Sequence, residues 1–245
     1  PPHNITDQAY APYLPQGPAA SLLGAIMEAS QALLRDHPVN QKRLAEKKLP
    51  AVSLWPWGQG RALTLESYQQ RFGLTGAVIS AVDLVKGIGV CAGLEVVNVP
   101  GATGWLDTNY EGKVAAALAA LNRHDFVYLH VEAPDEASHQ GKAALKIQAI
   151  EDFDARIVAP FLLFLETRPE TRILAAPDHF TLLSTKTHAA GAVPFALCGK
   201  GIIPDASNAY GEGRAAQSGV MIPDGHTLIH HFIRDEEVNT ATWQQ

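Results

Sequence analysis

The stretch Phe126-Val-Tyr-Leu-His-Val-Glu-Ala-Pro-Asp-Glu-Ala-Ser-His139 decides the fold, because a short apolar strand, Phe126 to Val131, leads directly to Asp135 and His139. In open α/β sheets ligands bind beyond the carboxyl ends of the strands, so these two side chains stand where chemistry is expected. They are four residues apart. On a helical turn that spacing puts carboxylate and imidazole on one face, where they can converge on one ion. Taken alone, such a pair is more often a solvated contact on a helix surface.

A second stretch repeats the pattern. Thr171-Arg-Ile-Leu-Ala-Ala-Pro177 reads as a strand that delivers Asp178 and His179 past its end, with His188 close behind. Adjacent Asp and His can supply a second, neighbouring ion. Mixed oxygen and nitrogen donors suit Zn²⁺ or Mn²⁺ better than Ca²⁺ or a thiolate-selected metal. Two such ions point to hydrolysis or phosphoryl transfer.

Working outward, Ser21 to Arg35 has helical apolar spacing and Pro38 stops it. Pro50 to Trp55 reads as a strand, followed by the glycine-rich turn Trp57-Gly-Gln-Gly60. Ala77 to Ala81 and Leu94 to Val99 read as buried strands, Tyr110 to Leu121 as an alanine-rich helix, and Lys146 to Leu165 as a long amphipathic helix kinked by Pro160. Alternating strands and helices predict an α/β fold, a mostly parallel sheet with helices on both faces. Residues 1–62 are expected to form a separate small lobe and residues 63–245 the sheet-bearing domain.

Composition agrees with an enzyme of this kind. The chain has 245 residues, 47% of them hydrophobic, enough for a full core. Its 19 basic and 25 acidic residues give a net charge of −6 with no basic run, which argues against a nucleic-acid partner. No apolar run reaches the roughly 20 residues that span a bilayer, so no membrane partner is expected. Cys91 and Cys198 lie in apolar surroundings and read as buried thiols of a reducing, cytoplasmic compartment. The opening Pro1-Pro2 without a methionine reads as entry partway into a larger fold.

Five stretches carry a resemblance: Trp57-Gly-Gln-Gly-Arg61, Gly76-Ala-Val-Ile-Ser-Ala-Val-Asp-Leu-Val-Lys-Gly-Ile-Gly89, Val99-Pro-Gly-Ala-Thr-Gly104, Asp107-Thr-Asn-Tyr-Glu-Gly-Lys113 and His130-Val-Glu-Ala-Pro-Asp-Glu-Ala137. In this order they resemble the archaeal-type cofactor-independent phosphoglycerate mutases of the alkaline phosphatase superfamily. The resemblance implies an alkaline phosphatase-like core, with residues 1–62 as part of an inserted substrate-binding lobe. It implies two divalent ions, Mn²⁺ or Zn²⁺, one held by Asp135, His139 and His188, the other by Asp178 and His179. It implies a small phosphorylated metabolite as substrate. It also implies a serine nucleophile that carries the phosphoryl group and is expected upstream of Pro1. Two departures flank His188: Leu182 stands where the family usually has proline, and Ala190-Gly191-Ala192 where acidic residues and a proline are common.

Lys86 is the candidate phosphate contact, with a solvated lysine as an equal alternative. Arg61 is a second candidate, against which a plain surface role is the stronger reading. His130 reads as a residue that orients a ligand, and Glu132 and Glu136 as acceptors beside Asp135 rather than ligands. Thr181, Ser184 and Thr185 are hydroxyls near Asp178 and His179, on the wrong side of that pair to replace the serine. Alternatives are a phosphatase or phosphotransferase acting on another small phosphorylated metabolite, and a non-catalytic metal-binding fragment.

Overall fold

A computed structural model of the chain describes residues 2–233 and 237–243. The chain divides into two compact units, Pro1–Leu63 and Thr64–Gln245.

In the first unit, helix α1 (Ala20–Arg35) is followed by α2 (Pro38–Ala45). Pro38 both ends one helix and opens the next. Its ring pre-sets the first helical φ and its missing N–H would have been unpaired there. The preceding His37 is extended, and its Nδ1 accepts from Val39 N at 3.3 Å. The strand expected over Pro50–Trp55 is not formed. Side chains satisfy that backbone instead of a ladder: Asn40 Nδ2 donates to Ala51 O at 2.6 Å, Ala51 N donates to Asn40 Oδ1 at 2.9 Å, and Leu54 N donates to Ser30 Oγ at 2.8 Å. Among the described residues no strand lies alongside to offer the alternative.

The second unit opens with the short helix α3 (Tyr68–Phe72), capped by a reciprocal Ser67–Gln70 box and closed by Gly73 in the left-handed region, φ 71°. Strand β1 (Gly76–Ile79), helix α4 (Asp83–Cys91), the two-residue β2 (Glu95–Val96), helix α5 (Tyr110–Ala120) and β3 (Phe126–Leu129) follow. The three strands form a parallel sheet in the order β2-β1-β3, with Ala77 opposite Glu95 and Val127. All four residues of β1 are buried, as a central parallel strand requires. Its continuous apolar run was the reason to expect a strand there. The run Leu94–Val99 contributes only two paired residues, Glu95 and Val96.

Helix α4 approaches β1 through Gly89, where an added Cβ would stand 2.5 Å from Val78 Cγ1. Cys91, two residues on, falls on the opposite side of the helix and is exposed, a correction to its expected burial. Cys198 is half-buried. Helix α5 is capped by Asn109, whose Oδ1 accepts from Gly112 N at 2.9 Å, and it packs on β1 and β3. Tyr110 and Val114 of α5 join Ile157 in the core, with Leu118, Leu129, Val131, Phe153 and Phe161 around them.

Helix α6 (Ala133–His139) leads into α7 (Ala143–Phe153), a single π-helical turn (Asp154–Val158) and α8 (Ala159–Thr167). The long amphipathic helix is thus continuous but carries a π turn just before Pro160. Proline has no N–H for the carbonyl four residues back and its ring crowds that position, so a widened turn absorbs the conflict. Strands β4 (Arg172–Ala175), β5 (Phe180–Leu182), β6 (Thr187–Ala189) and β7 (Ala196–Gly199) complete the site region, with β4 antiparallel to β7 and β5 antiparallel to β6. The α/β fold with a parallel sheet and helices is as expected, although β4 runs beside β7 rather than extending the parallel set.

Two measurements test this packing. In an ordinary helix interior alanine is favoured over glycine by about 1 kcal/mol. At Gly89 the added methyl meets Val78, and overpacking of a core costs about 1–3 kcal/mol. Gly89→Ala is therefore expected to lower the urea midpoint, and an unchanged or raised midpoint would show that α4 is free to move off β1. The second concerns Glu95 at the sheet edge, which accepts from Arg123 Nη2 at 2.7 Å and faces His124 Nε2 at 2.6 Å. The Arg123 bond, followed by that to His124, pulls its carboxyl down to about 2. A depressed carboxylate stabilises above its unfolded value near 4.5 and loses that contribution as pH falls toward 2. Thermal unfolding should place Glu95→Gln below the parent at pH 6, with the gap closing between pH 4.5 and 2; a gap that persists at pH 2 would rule out this ion pair as its source.

Candidate metal centre

The site is built at the carboxyl end of β3. His130 N continues the ladder past the strand by donating to Ile79 O at 2.8 Å, and α6 starts three residues later. Asp135 lies in the first turn of α6, where the helix dipole favours a negative charge, and His139 in its last, where it favours a positive one. Ala137 and Ser138 are buried beneath them as α6 packs on α7 and β5. The helix therefore presents only its Asp135–His139 edge to the site.

The β5–β6 hairpin supplies the rest. Its register sets Thr181 opposite His188, and His179 immediately precedes β5. The four-residue turn closes with Lys186 in the left-handed region, φ 53°. The carbonyl of that residue accepts from His139 Nδ1 at 2.8 Å.

Four side chains converge. His139 Nε2 is 3.1 Å from Asp135 Oδ2 and 3.2 Å from His188 Nε2, and His188 Nε2 is 3.4 Å from Asp135 Oδ1. The His179 and His188 rings lie 3.8 Å apart, and Asp135, His179 and His188 each place a donor atom within 4.8 Å of the others. A four-coordinate ion with bonds of about 2.0–2.1 Å holds its ligands about 3.3 Å apart, the separation seen here.

Hydrogen-bond direction makes the fit sharper. A carbonyl oxygen only accepts, so His139 donates through Nδ1 to Lys186 O, and His179 donates through Nδ1 to Phe180 O at 3.3 Å. In each neutral ring the lone pair is then on Nε2. The His139 lone pair faces a carboxylate and a second imidazole, an arrangement that calls for positive charge between them. Outer partners that commit Nδ1 in this way are the usual companions of metal-bound histidine.

The surroundings favour a cation as well. Glu132 is pushed up to about 7, first by burial and then by the charges of Asp135, Glu136 and Asp178. Glu132, Asp135 and Glu136 also stand together as an acidic group. Glu132 Oε2 is 3.1 Å from His130 Nε2, and His130 Nδ1 is 3.1 Å from Ser80 Oγ. Burial holds the His130 imidazole below its usual range. The ring is thus held between Ser80 Oγ at Nδ1 and Glu132 Oε2 at Nε2. Lys113, fully buried, donates from Nζ to His130 O at 3.3 Å; burial lowers its ammonium pKa and the charge of Glu132 opposes that.

The sequence-predicted residues are distributed as follows. Asp135, His139, His179 and His188 are brought together. Asp178 is mostly exposed, its Oδ1 accepting from His179 N at 3.0 Å and its Oδ2 3.5 Å from His179 Nε2. Lys86, on α4, has Nζ 3.4 Å from Asp83 Oδ1. Arg61 is exposed in the coil of the first unit. Sequence reasoning missed the part played by Thr181, whose hydroxyl donates to Asp135 Oδ1 and lies 3.2 Å from His179 Nδ1. Its signal was present: residues two apart in extended chain share a face, so Thr181 follows His179 into the site.

The chain resembles known proteins over most of its length. It is 53% identical over 234 residues to a probable 2,3-bisphosphoglycerate-independent phosphoglycerate mutase of Geobacter sulfurreducens, covering 95% of this chain and 59% of that protein. It is 48% identical to the 2,3-bisphosphoglycerate-independent phosphoglycerate mutase of Methanothrix thermoacetophila, with 95% and 60% covered. Among solved structures, the PH0037 protein from Pyrococcus horikoshii superposes with a TM-score of 0.67 at 30% identity, over 81% of this chain and 52% of that one. The chain thus spans about three fifths of the length of these two curated relatives. Residues 18–228 match the metalloenzyme superfamily, and the chain belongs to that family.

Proposed function

We propose that the protein carrying this chain is a metal-dependent, cofactor-independent phosphoglycerate mutase that interconverts 3-phosphoglycerate and 2-phosphoglycerate. The observation that carries this reading is the cluster of Asp135, His139 and His188 with the His179 ring stacked beside His188, in a chain about half identical to curated mutases. Asp135, His139 and His188 hold one Mn²⁺ or Zn²⁺ ion, and Asp178 with His179 contributes to a second. When bound, such cations neutralise charge on a phosphoryl group in transfer.

The chain's own residues prepare that site. His139 and His179 present Nε2 because their Nδ1 atoms are committed elsewhere. Glu132 and His130 support the site from the segment between β3 and α6. Lys86 and Arg61 are the proposed contacts to substrate phosphate, and residues 1–62 the proposed part of a substrate-binding lobe. The phosphoryl carrier is a serine in the region of the relatives that lies outside this alignment. Thr181 is not a substitute, since its hydroxyl is engaged by Asp135 and His179 and the residue is only 5% exposed. The net charge of −6 fits a small metabolite rather than nucleic acid, with selectivity for phosphate supplied locally. No helix among the described residues is long and apolar enough to cross a membrane, and a cytoplasmic setting is part of the proposal.

In an enolase-coupled assay with Mn²⁺, the whole protein is expected to convert 3-phosphoglycerate, to lose turnover on chelation, and to lose at least about 100-fold in kcat with Asp135→Asn. The 245 residues alone are expected to turn over no faster than buffer with metal. Metal-dependent hydrolysis of another small phosphate ester, with no mutase activity, would instead make the protein a phosphatase. Limited proteolysis tests the lobe: residues 57–65 are expected to be cut first, at Arg61 by trypsin, and a resistant body spanning that coil would argue for one continuous domain.

A further inference from the structure

We infer that Thr181 is the positioning residue of the metal centre, a single hydroxyl that orients ligands from two separate elements. The inference rests on the metal-centre reading above and adds to it the residue that assembles the site. Thr181 Oγ1 donates its one proton to Asp135 Oδ1 on α6. Its lone pairs are then left to accept, and His179 Nδ1 stands 3.2 Å away as the donor. The two bonds run in a fixed direction, from His179 through Thr181 to Asp135. That Nδ1–H is shared with the Phe180 carbonyl at 3.3 Å, so Thr181 reinforces the His179 tautomer with its lone pair on Nε2, and its bond to Asp135 leaves Oδ2 for the side of the site where His139 Nε2 lies at 3.1 Å.

The hydroxyl is itself held in place from three sides. Thr181 pairs with His188 across the β5–β6 ladder, so its backbone and that of a third ligand move together. Its carbonyl accepts from Lys146 Nζ of α7 at 2.8 Å. The β-branched side chain has few rotamers and is 5% exposed, which keeps water from replacing either bond. Neither Lys146 nor Thr181 is among the proposed ligands. Both act through the ligands they hold.

The test is calorimetric titration of Zn²⁺ into the chelator-stripped protein, with thermal unfolding of each metal-free variant alongside. Thr181→Val keeps the shape and removes both bonds; it is expected to weaken Zn²⁺ binding about 10–100-fold, the usual cost of losing an outer partner of a ligand. Thr181→Ser restores the hydroxyl and is expected to recover most of that affinity. A residue that merely packs would instead lower the metal-free unfolding temperature and leave affinity unchanged. Should the valine variant fail to fold, Thr181→Ala, which puts no methyl against the Asp135 carboxylate, gives the same comparison. Wild-type binding that the valine or alanine variant leaves unchanged overturns the inference alone. Wild-type protein that binds no Zn²⁺ overturns the metal centre and the inference together.

Discussion

The parallel ladder between β1 and β3 is the constraint on which the site depends. It pairs Gly76 through Ile79 with Phe126 through Leu129 residue for residue, and His130 N extends it to Ile79 O. A slip of one residue would turn every side chain of β3 to the other face and carry the start of α6 with it. Burial of all of β1 makes such a slip costly, because each inward apolar group would have to be exchanged. Close contact of Gly89 with Val78 holds α4 against the same strand, and α5 packs on both strands through a core centred on Tyr110, Val114 and Ile157. The position of Asp135 is thus set largely by apolar packing.

Electrostatics then work against the packing rather than with it. Glu132, Asp135 and Glu136 lie close together, and the half-buried Glu132 is shifted toward its neutral form. Such an arrangement is costly in a protein that has only its own cations to offer. Lys113 is one of these, and it donates to the carbonyl of His130, buried and itself shifted toward neutrality. A divalent ion bound there would offset the imbalance, and the Nδ1 contacts of His139 and His179 leave their Nε2 atoms available to it. Membership of the metalloenzyme superfamily agrees with that physical reading.

Much of this was legible in the chain. The strand of β1, the alanine-rich α5 and the apolar stripe of α1 follow from periodicity, which depends on neighbouring residues alone. The i, i+4 spacing of Asp135 and His139 survives because both lie on one short helix. Where local signals failed, a non-local partner was the cause. Pro50–Trp55 has strand composition but meets Asn40 and Ser30 instead of another strand. Cys91 sits in an apolar sequence, yet Gly89 takes the sheet-facing side of the helix and leaves the thiol outside. The π turn before Pro160 is an intermediate case, since the conflict is local but the form of its relief is not.

The sequence by itself determined the α/β class, the central strands β1 and β3 and most helices, and it offered candidate metal-binding residues, because these depend on side-chain chemistry and on spacing within one segment. Only the tertiary structure decided how those residues combine. Asp135 and His188 are 53 positions apart, and no periodicity links them. Their meeting is set by the docking of the β5–β6 hairpin against α6, through Thr181 on one side and the Lys186 carbonyl on the other. Those contacts exist only once α6, α7 and the hairpin have packed, since each buried hydrogen bond needs both partners placed to within a few tenths of an ångström.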